Sequence, residues 1–298
     1  MDNKKLSWSY LQSIDEMNIG RFFEYDSEAL EMFEKWLKFL KQSNQKVLEV
    51  GSGSGFFTNI LLTLFPDIEL TCLEPDEIFE KELIRRFGDK ISVVNNIVEN
   101  MTFDSNQFDC VISHIVLHNL KDPIIALKQM KRVTKVKGKV VTIDPLASSR
   151  HYYPTKEIQD AHEFLEKSRI KKCMIYSDQT ESIDRNPWNF SYPLAFKQVG
   201  LSNVQCHGWT SVFTISDSRF NFEEKKSWIQ KRFDLVKSNK DEIINTLLGL
   251  NEEKTKIENA FNIIFTYYNQ LLNSSIENIE NFPEQEIVHR IITIAEKL

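Results

Sequence analysis

The sequence predicts an α/β fold built on a doubly wound, mostly parallel sheet, and the order of its apolar and helical segments supports this. Between Lys46 and Pro145, short apolar runs alternate with segments of helical periodicity. Such runs indicate strands buried on both faces, as in parallel sheets covered by helices. Right-handed crossovers between them produce the doubly wound arrangement. The predicted strands are Lys46–Val50, Glu69–Leu73, Ile91–Val94, Phe108–Ser113 and Lys139–Asp144, and the helices between them lie near Phe56–Leu64, Ile78–Phe87 and Pro123–Thr134.

Beyond the fifth strand the pattern predicts an insertion and then two antiparallel strands. Residues 146–190 are polar and basic with a cluster of aromatics, which breaks the alternation. A helix over Tyr192–Val199 follows, and the strand candidates Asn203–His207 and Ser211–Ser216 come next. The short gap between these candidates predicts an antiparallel hairpin that completes a seven-stranded sheet.

Helical patterns predict an additional layer at each end of the chain. Residues 1–45 form an N-terminal helical cap, in which Ser27–Leu40 places its apolar residues on one face. Residues 221–298 are almost wholly helical in pattern and form a C-terminal helical extension. We therefore expect three parts: the cap, an α/β domain over 46–220 whose insertion at 146–190 covers the functional site, and the extension.

The extension contains recognisable helix boundaries. Asn221 precedes Glu224 by three residues, and Asn239 precedes Glu242 by three residues, so both pairs have capping-box spacing. Pro283 lies where a last helix could begin.

Composition limits the class of partner and the compartment. A net charge of −6 over 298 residues argues against a broad phosphate-binding face, so DNA is not an expected partner. We find no signal-peptide core and no apolar run of membrane-spanning length. The four cysteines are scattered without a CxxC pair, and Cys72 and Cys110 fall within predicted buried strands. A cytoplasmic protein without a disulfide framework is expected.

One turn concentrates the glycines. Three of the nine lie at Gly51, Gly53 and Gly55, directly after the first strand and before a helix. Glycine permits a tight turn and a close approach of the backbone to a ligand, and the helix presents free N–H groups. By itself this turn suits a phosphate or an amino-acid carboxylate equally well.

The residues around the turn narrow the choice of ligand. A dinucleotide-binding GxGxxG pattern requires a third glycine at position 56, where Phe56 stands. Glu49 lies two residues before Gly51, and an acid there favours a positively charged ligand over a pyrophosphate. Glu74 ends the second strand, where a carboxylate can accept hydrogen bonds from both hydroxyls of a ribose.

Four segments resemble motifs of the class I S-adenosylmethionine-dependent methyltransferases. VLEVGSGSGFFT resembles the first motif of that family, CLEPD the second, FDCVISHIVLHNL the fourth-strand segment, and LKDPIIALKQMKRVTKVKGKVVTIDP the crossover into the fifth strand. The resemblance covers about residues 46–145 and is specific at the level of the superfamily. It implies binding of S-adenosylmethionine, whose ammonium and sulfonium groups suit Glu49, and release of S-adenosylhomocysteine.

The resemblance also implies a set of cofactor-binding residues. The glycine turn surrounds the methionine end, Glu74 holds the ribose, and segments after the second and third strands flank the adenine. The family often has an acid after the third strand, whereas this chain reads Asn96-Ile97-Val98. The implied residues are Glu49, Gly51, Ser52, Gly53, Gly55, Glu74, Pro75, Asp76, Asn96, Ile97, Val98, Ser113 and His114.

Two histidines and an aspartate are candidates for the methyl-transfer step. His114 and His118 follow the fourth strand, at the edge where α/β folds bind ligands, and Asp144 ends the fifth strand. A base assists when the acceptor is a hydroxyl or a protonated amine, and histidine suits this role near neutral pH. Packing and capping roles for these residues stay open. No HExxH pattern and no third ligand accompany the histidines, so no metal is expected.

Aromatic side chains of the cap and the insertion could form a lid over the acceptor, although core packing is the alternative for each of them. The candidate acceptor contacts are Tyr10, Phe22, Tyr25, His118, Tyr152 and Tyr153.

The expected function is methyl transfer to an acceptor, with a small molecule favoured, by in-line displacement at the sheet edge. A catalytically silent cofactor-binding scaffold, a nucleotide-dependent oxidoreductase and an aminopropyl transferase of the same fold are the alternatives. The DPPY-type segment of DNA amino-methyltransferases does not follow the fourth strand.

The apolar stripes of the C-terminal helices require burial against the α/β domain or against a second subunit, and the latter would give a homodimer.

Overall fold

The structure, a computed structural model, describes residues 8–19, 21, 25–146, 150–180, 191–275 and 283–298. Within these ranges the chain forms one eight-stranded sheet with helices on both faces. The strands are β1 (Lys46–Val50), β2 (Glu69–Leu73), β3 (Ile91–Val94), β4 (Phe108–His114), β5 (Thr134–Pro145), β6 (Arg150–Tyr152), β7 (Ser202–Thr214) and β8 (Gln285–Glu296). The helices are α1 (Ile14–Ile19), α2 (Ser27–Trp36), α3 (Phe56–Leu64), α4 (Glu77–Phe87), α5 (Pro123–Val133), α6 (Lys156–Thr180), α7 (Tyr192–Gln198), α8 (Phe222–Ser238), α9 (Lys240–Gly249) and α10 (Lys254–Asn273).

The first five strands confirm the predicted parallel sheet. Their spatial order is β3-β2-β1-β4-β5, and every pair among them is parallel. β8 continues the sheet antiparallel to β5 and also pairs antiparallel with β6 and β7. The sheet is therefore mostly parallel with antiparallel strands from the C-terminal part of the chain, as the sequence predicts.

The predicted hairpin at 203–216 is wrong. Both candidate segments belong to the single strand β7, because Gly208 stays extended opposite Ile291 instead of turning the chain. The antiparallel partner of β7 is β8, which follows it after three helices. With the short strand β6 inside the predicted insertion, the sheet has eight strands rather than seven.

The prediction of an almost wholly helical C-terminal extension is also wrong at its end. α8, α9 and α10 occupy 222–273 as expected, but a strand rather than a helix follows Pro283. The extension thus returns to the sheet of the α/β domain. The capping box at Asn221 is present, whereas the side chain of Asn239 makes no cap hydrogen bond because its backbone is already helical, at φ −89° and ψ 0°.

Three apolar clusters hold these layers together. One lies on the face covered by α2 and α3 and contains Phe33 and Phe57, and a second lies on the face covered by α5 and α7. The third joins α6, α8, α9 and α10, and it buries the apolar stripe of α10 within the chain itself. None of the helices among the described residues is long and apolar enough to cross a membrane.

Candidate functional site

The glycine turn lies at the carboxyl end of β1, where the sheet meets α3. Gly51, Gly53 and Gly55 have φ values of +69°, +55° and +81°, a left-handed region that glycine adopts without strain. The N–H of Gly51 donates to the carbonyl of Leu73 at 2.8 Å, which joins the turn to the end of β2. Gly55 is the residue that caps the N-terminus of α3.

Close packing adds a second reason for glycine in this turn. A Cβ on Gly51 would lie 2.6 Å from a methyl of Val116, and one on Gly53 would lie 2.8 Å from the terminal methyl of Met17. A Cβ on Gly55 would lie 2.5 Å from the ring of Phe87. The turn therefore packs closely against Val116, Met17 and Phe87, and only glycine fits at these three positions without a collision.

We expect Gly55→Ala to lower the free energy of unfolding by more than about 1–2 kcal/mol, the cost of a left-handed L-residue alone, because the ring contact adds to it. Gly249→Ala is the matched control, since Gly249 ends a helix and a Cβ there would meet nothing within 4 Å. Urea unfolding followed by circular dichroism measures both variants. Equal stability of the two would contradict this explanation of the turn.

Glu74 links the end of β2 to the glycine turn. Its carboxylate accepts hydrogen bonds from the N–H of Gly53 at 2.7 Å and from the N–H of Asp76 at 3.0 Å. Asp76 caps α4 by accepting from the N–H of Ile78 at 2.9 Å, and it also accepts from the N–H of Ser9 in the cap at 2.7 Å. The side chain of Glu74 is buried, as is that of Asp76, while Pro75 is exposed.

Glu49 is a second buried acid beside the turn. Its carboxylate accepts from the hydroxyl of Thr58 at 2.6 Å, and the hydroxyl of Ser52 contacts its carbonyl at 3.4 Å. Burial raises the pKa of Glu49 to about 7, partly opposed by hydrogen bonds from neighbours that include Thr58. Burial likewise raises the pKa of Glu74 to about 7. Two buried carboxylates whose pKa values lie near neutral pH, beside a glycine turn, suit a cationic ligand.

The segment after β3 has its side chains engaged in local contacts. The amide oxygen of Asn96 accepts from the N–H of Ile97 at 2.8 Å, and its amide nitrogen donates to the carbonyl of Asn100 at 3.2 Å. Val98 is buried and begins a short 3₁₀ turn. An adenine contact through the Asn96 oxygen, which the sequence left open, would therefore compete with an existing hydrogen bond.

His114 at the end of β4 faces the α3 side of the sheet. Its Nε2 is hydrogen-bonded to the hydroxyl of Tyr25, and its ring stacks on Phe57 with centroids 4.7 Å apart. Burial lowers the pKa of His114 well below its ordinary value, and the guanidinium groups of Arg21 and Arg290 lower it further. The imidazole of His114 is therefore neutral at physiological pH.

His118 and Asp144 form a pair at the same edge of the sheet. Nδ1 of His118 lies 3.0 Å from the carboxylate of Asp144, and the backbone N–H of His118 also points to that oxygen at 3.4 Å. Asp144 is fully buried, and burial raises its pKa while His118 and Arg290 oppose the shift. The second carboxylate oxygen of Asp144 and the hydroxyl of Ser113 have no hydrogen-bond partner among the described residues.

The structure separates the aromatic residues that could form a lid. Tyr25 reaches the site through His114, but Tyr153 stacks between the rings of His151 and His162, at centroid distances of 4.2 and 3.9 Å, next to the C-terminal helices. Tyr152 is 44% exposed, and Tyr10 lies 5.6 Å from the ammonium of Lys172 on α6. Phe22 lies outside the described residues. The single aromatic lid expected from sequence is thus not one cluster here.

The cap covers the glycine turn through α1 instead. Met17 packs over Gly53, and the hydroxyl of Ser54 donates to the side-chain oxygen of Asn18 at 3.2 Å. No sequence motif singles out Met17 or Asn18, and Arg290 lies on β8, whose pattern predicts a helix. Within the described ranges, no three His, Cys, Asp or Glu side chains come together as ligands for a metal ion.

Comparisons with known proteins agree with this geometry. Residues 48–142 match the family described as a methyltransferase domain. A protein of Schizosaccharomyces pombe, named an uncharacterized methyltransferase, is 28% identical over 207 residues, covering 66% of this chain and 69% of its own length. The ubiquinone/menaquinone biosynthesis C-methyltransferase UbiE of Proteus mirabilis is 26% identical over 194 residues, 60% of this chain and 75% of that enzyme. 

A solved structure shares the fold. It is a methyltransferase from an antibiotic biosynthesis pathway of Anabaena variabilis, with a TM-score of 0.53 at 13% identity, covering 92% of this chain and 98% of that one. Residues 48–142 therefore form a methyltransferase domain, and this domain, the relatives and the glycine turn with its two buried glutamates support S-adenosylmethionine-dependent methyl transfer.

Proposed function

We propose that the enzyme methylates a small-molecule acceptor at the carboxyl edge of β1, β4 and β5, with His118 as the general base. The observation that carries this proposal is the His118–Asp144 pair, which lies at the same sheet edge as the glycine turn with its buried glutamates. Parallel strands end at a common edge, so cofactor and base belong to one cleft.

The residues around the turn fit S-adenosylmethionine. The tight turn over Gly51, Gly53 and Gly55 would hold the methionine end, with Ser52 beside it and the carboxylate of Glu49 available for a cationic group. Glu74 has about four lone-pair positions, of which backbone N–H groups use two, so two remain for the ribose hydroxyls. 

The remaining cofactor contacts fall at the ends of β2, β3 and β4. Pro75 and Asp76 would flank one side of the adenine, and the backbone of Ile97 and Val98 the other, because the Asn96 amide is already bonded. Ser113 and His114, at the end of β4, would line the space between the cofactor and the acceptor.

The protein's own contribution to the chemistry is positioning and proton transfer. Bound S-adenosylmethionine supplies a methyl group on a positively charged sulfur, and transfer leaves S-adenosylhomocysteine. Asp144 accepts the Nδ1–H of His118, which leaves Nε2 as the basic nitrogen. His118 would take the proton of the acceptor's O–H or N–H as the lone pair of that acceptor oxygen or nitrogen bonds to the methyl carbon, and the electrons of the broken carbon–sulfur bond would stay on sulfur.

His114 is less suited to act as the base. Its Nε2 is engaged by the hydroxyl of Tyr25, and burial together with two guanidinium groups disfavours the protonated form that a base must adopt. We propose instead that Tyr25 and His114 close the wall of the cleft beside the acceptor.

Three observations support a small acceptor. The N-terminal cap lies over the site, with Met17 on Gly53 and Tyr25 on His114, which restricts access for a folded macromolecule. The net charge of −6 disfavours nucleic acid. The relative from Proteus mirabilis is named for the biosynthesis of ubiquinone and menaquinone, which are small molecules.

Binding and transfer measured separately test the proposal. Titration calorimetry should detect S-adenosylmethionine binding and no comparable binding of NAD, and a screen with methyl-labelled cofactor should label at least one small acceptor. Binding without transfer to any acceptor supports the scaffold alternative. Binding of NAD in preference to S-adenosylmethionine would sink the proposal.

We expect cofactor binding near pH 7 to release protons. The pKa of Glu49 and of Glu74 is raised to about 7 in the folded protein, so each is partly protonated there, and a cationic ligand favours the ionised forms. Affinity should therefore rise between pH 6 and 8, by at most about tenfold per pH unit for each proton released. Calorimetry in buffers of different ionisation enthalpy counts the protons. Glu49→Gln should remove part of the release, and the exposed Glu69→Gln should not.

Glu49 and Glu74 also make the stability of the ligand-free protein depend on pH, and the direction of this dependence follows from their raised pKa values. Their ordinary pKa of 4.5 applies to the unfolded chain, so between pH 4.5 and 7 the folded state binds more protons. Their contribution to folding is therefore fully present below pH 4.5 and is lost as the pH rises through about 7.

The two ends of the described chain both contact the α/β domain. We propose that the cap, the α/β domain and the C-terminal helices act as one unit, since β8 and α1 tie both ends of the chain to the site. The apolar stripe of α10 is buried within the chain, so its burial does not require a second copy, and light scattering tests whether a homodimer forms. All four cysteines are free, which fits the cytoplasm that we propose.

A further inference from the structure

Two buried oxygen atoms at the carboxyl edge of the sheet have no hydrogen-bond partner in the part of the chain that the structure describes. They are the Oδ2 of Asp144 and the Oγ of Ser113, and both side chains are fully buried. Each residue is the next to last of its strand, Ser113 on β4 and Asp144 on β5. A buried polar atom without a partner is uncommon, and this edge of an α/β sheet is where ligands bind, so both atoms point to a group supplied by a ligand.

Strand register places these two side chains on the same face of neighbouring strands. Ser113 lies opposite Thr142, and Asp144 follows Thr142 by two residues, so all three point to one side of the sheet. This side is the one covered by α5 and α7, because Val111 and Val140, which alternate with the same period, belong to the apolar cluster beneath those helices. The two oxygens therefore belong to one site.

This site lies between the glycine turn and His118. Ser113 is opposite Val50, the last residue of β1, and Gly51 follows Val50 directly. On the other side, the Oδ1 of Asp144 holds both Nδ1 and the backbone N–H of His118, at 3.0 and 3.4 Å, which leaves only Oδ2 unbonded. The side chain of His118 is 21% exposed, so the pair reaches the accessible side of the edge. A group bound by both oxygens would lie beside the proposed base and next to the turn assigned to the cofactor.

We propose that the methyl acceptor is a primary amine, whose nitrogen donates hydrogen bonds to the Oδ2 of Asp144 and the Oγ of Ser113 while His118 removes a proton from it. This inference rests on the proposed function, and it names the atom that is methylated. A protonated primary amine has three N–H groups, and the edge offers three acceptors, the third being the Nε2 of His118. The carboxylate of Asp144 also offsets the positive charge that the amine carries before it loses the proton.

A hydroxyl acceptor does not satisfy the same site. Its single hydrogen is directed to the Nε2 of His118, so none remains for the Oδ2 of Asp144. The lone pairs of that oxygen would then face those of the hydroxyl, and a buried acceptor would stay unpaired, which is costly. An acceptor carbon carries no hydrogen-bond donor. The number of hydrogens that the site requires therefore favours methylation of nitrogen over oxygen or carbon.

Atoms and charges balance in the proposed step. His118 takes one proton from the R–NH₃⁺ group, which frees the lone pair of the nitrogen. This lone pair forms the bond to the methyl carbon while the carbon–sulfur bond breaks, and the electrons of that bond stay on sulfur. The product, R–NH₂⁺–CH₃, has only two N–H groups for the three acceptors, so a second transfer should be slower than the first.

Small acceptors in matched pairs, each an amine and the alcohol of the same carbon skeleton, test the proposal with methyl-labelled cofactor. The wild type should prefer amines in kcat/KM by about 100-fold or more, the scale expected for a buried charge-assisted bond. In Asp144→Asn that preference should fall to near one, because the amide presents N–H₂ where the amine requires an acceptor. Ser113→Ala should lower it by about two- to tenfold, the range for one neutral hydrogen bond. Ser92→Ala, at an exposed serine of β3, is the matched control.

The ratio of amine to alcohol separates recognition from folding, because a merely structural loss lowers both rates alike. Equal use of amines and alcohols by the wild type would overturn the proposal and leave the proposed function intact. An unchanged ratio in both Ser113→Ala and Asp144→Asn would mean that the two oxygens meet only water, and this also counts against the proposal.

A binding measurement tests the site without turnover. ¹³C-labelled methylammonium, and ¹³C-labelled methanol as its matched probe, are titrated into the complex with S-adenosylhomocysteine and followed by line broadening. Broadening of methylammonium in the wild type and in Ser92→Ala, but not in Asp144→Asn, supports the amine site. Equal broadening in all three proteins, or none in the wild type, counts against it. Calorimetry of S-adenosylhomocysteine binding accompanies each titration, and a wild type that binds no cofactor would instead contradict the proposed function itself.

Discussion

His118→Ala should lower kcat by about 10²- to 10⁴-fold, the range that positioned general bases contribute. The imidazole is the group at the sheet edge whose Nδ1 is fixed by a buried carboxylate, at 3.0 Å from Asp144, which leaves Nε2 free to accept a proton. Its side chain retains 21% exposure, so it borders the cleft rather than the core. Steady-state kinetics with saturating cofactor measures the loss.

Rescue of the His118→Ala variant by added imidazole distinguishes a chemical role of His118 from a structural one. Removing the ring leaves a partly exposed gap, and added imidazole should restore a substantial share of the lost kcat if the nitrogen acts as a base. Asp144→Asn should also lower kcat, because the carboxylate orients the ring and stabilises its protonated form. His207→Ala is the matched control, since that ring stacks on Trp36 and makes no contact with the pair. Unchanged kcat in His118→Ala would mean that the acceptor needs no base.

The parallel strands, the glycine turn and the positions of His118 and Asp144 can be predicted from sequence because they depend on local patterns. Each parallel strand is a short apolar run between turn signals, and the glycines stand where positive φ is required. The rule that parallel strands share a carboxyl edge then predicts that His118 and Asp144 come close, although they are 26 residues apart. The methyltransferase fold and cofactor are confirmed by the matched family and relatives.

The sequence-based predictions that are wrong concern contacts between distant parts of the chain. β8 is covered on both edges and both faces, so its apolar residues do not alternate and its periodicity does not separate strand from helix. The short gap between the strand candidates 203–207 and 211–216 predicts a turn, yet Gly208 in that gap continues the strand. Arg290 reached the site only through this misassigned strand, and the bond between Tyr25 and His114 joins residues 89 apart. No local pattern encodes such pairings.

Glu74→Gln should weaken S-adenosylmethionine binding by about 100-fold or more, since two hydrogen bonds to a charged group contribute about 1.5–3 kcal/mol each and 1.4 kcal/mol is tenfold. The glutamate carboxylate receives the N–H groups of Gly53 and Asp76 and keeps lone pairs for a ribose. An amide in its place has a single acceptor oxygen, so it lacks the lone pairs that the ribose hydroxyls would use.

Glu74→Gln should not lower the free energy of unfolding, and this separates an effect on binding from an effect on folding. Burial raises the pKa of Glu74 to about 7, so at pH 8 the free protein holds a carboxylate that its surroundings disfavour. Replacing it with a neutral amide of the same shape removes that penalty, and the unfolding free energy of the free protein at pH 8 should not fall. Glu82→Gln, in an exposed ion pair with Arg85, is the control for both measurements. If Glu74→Gln unfolds the protein and binding is lost only for that reason, Glu74 is a structural residue and its assignment to the cofactor is wrong.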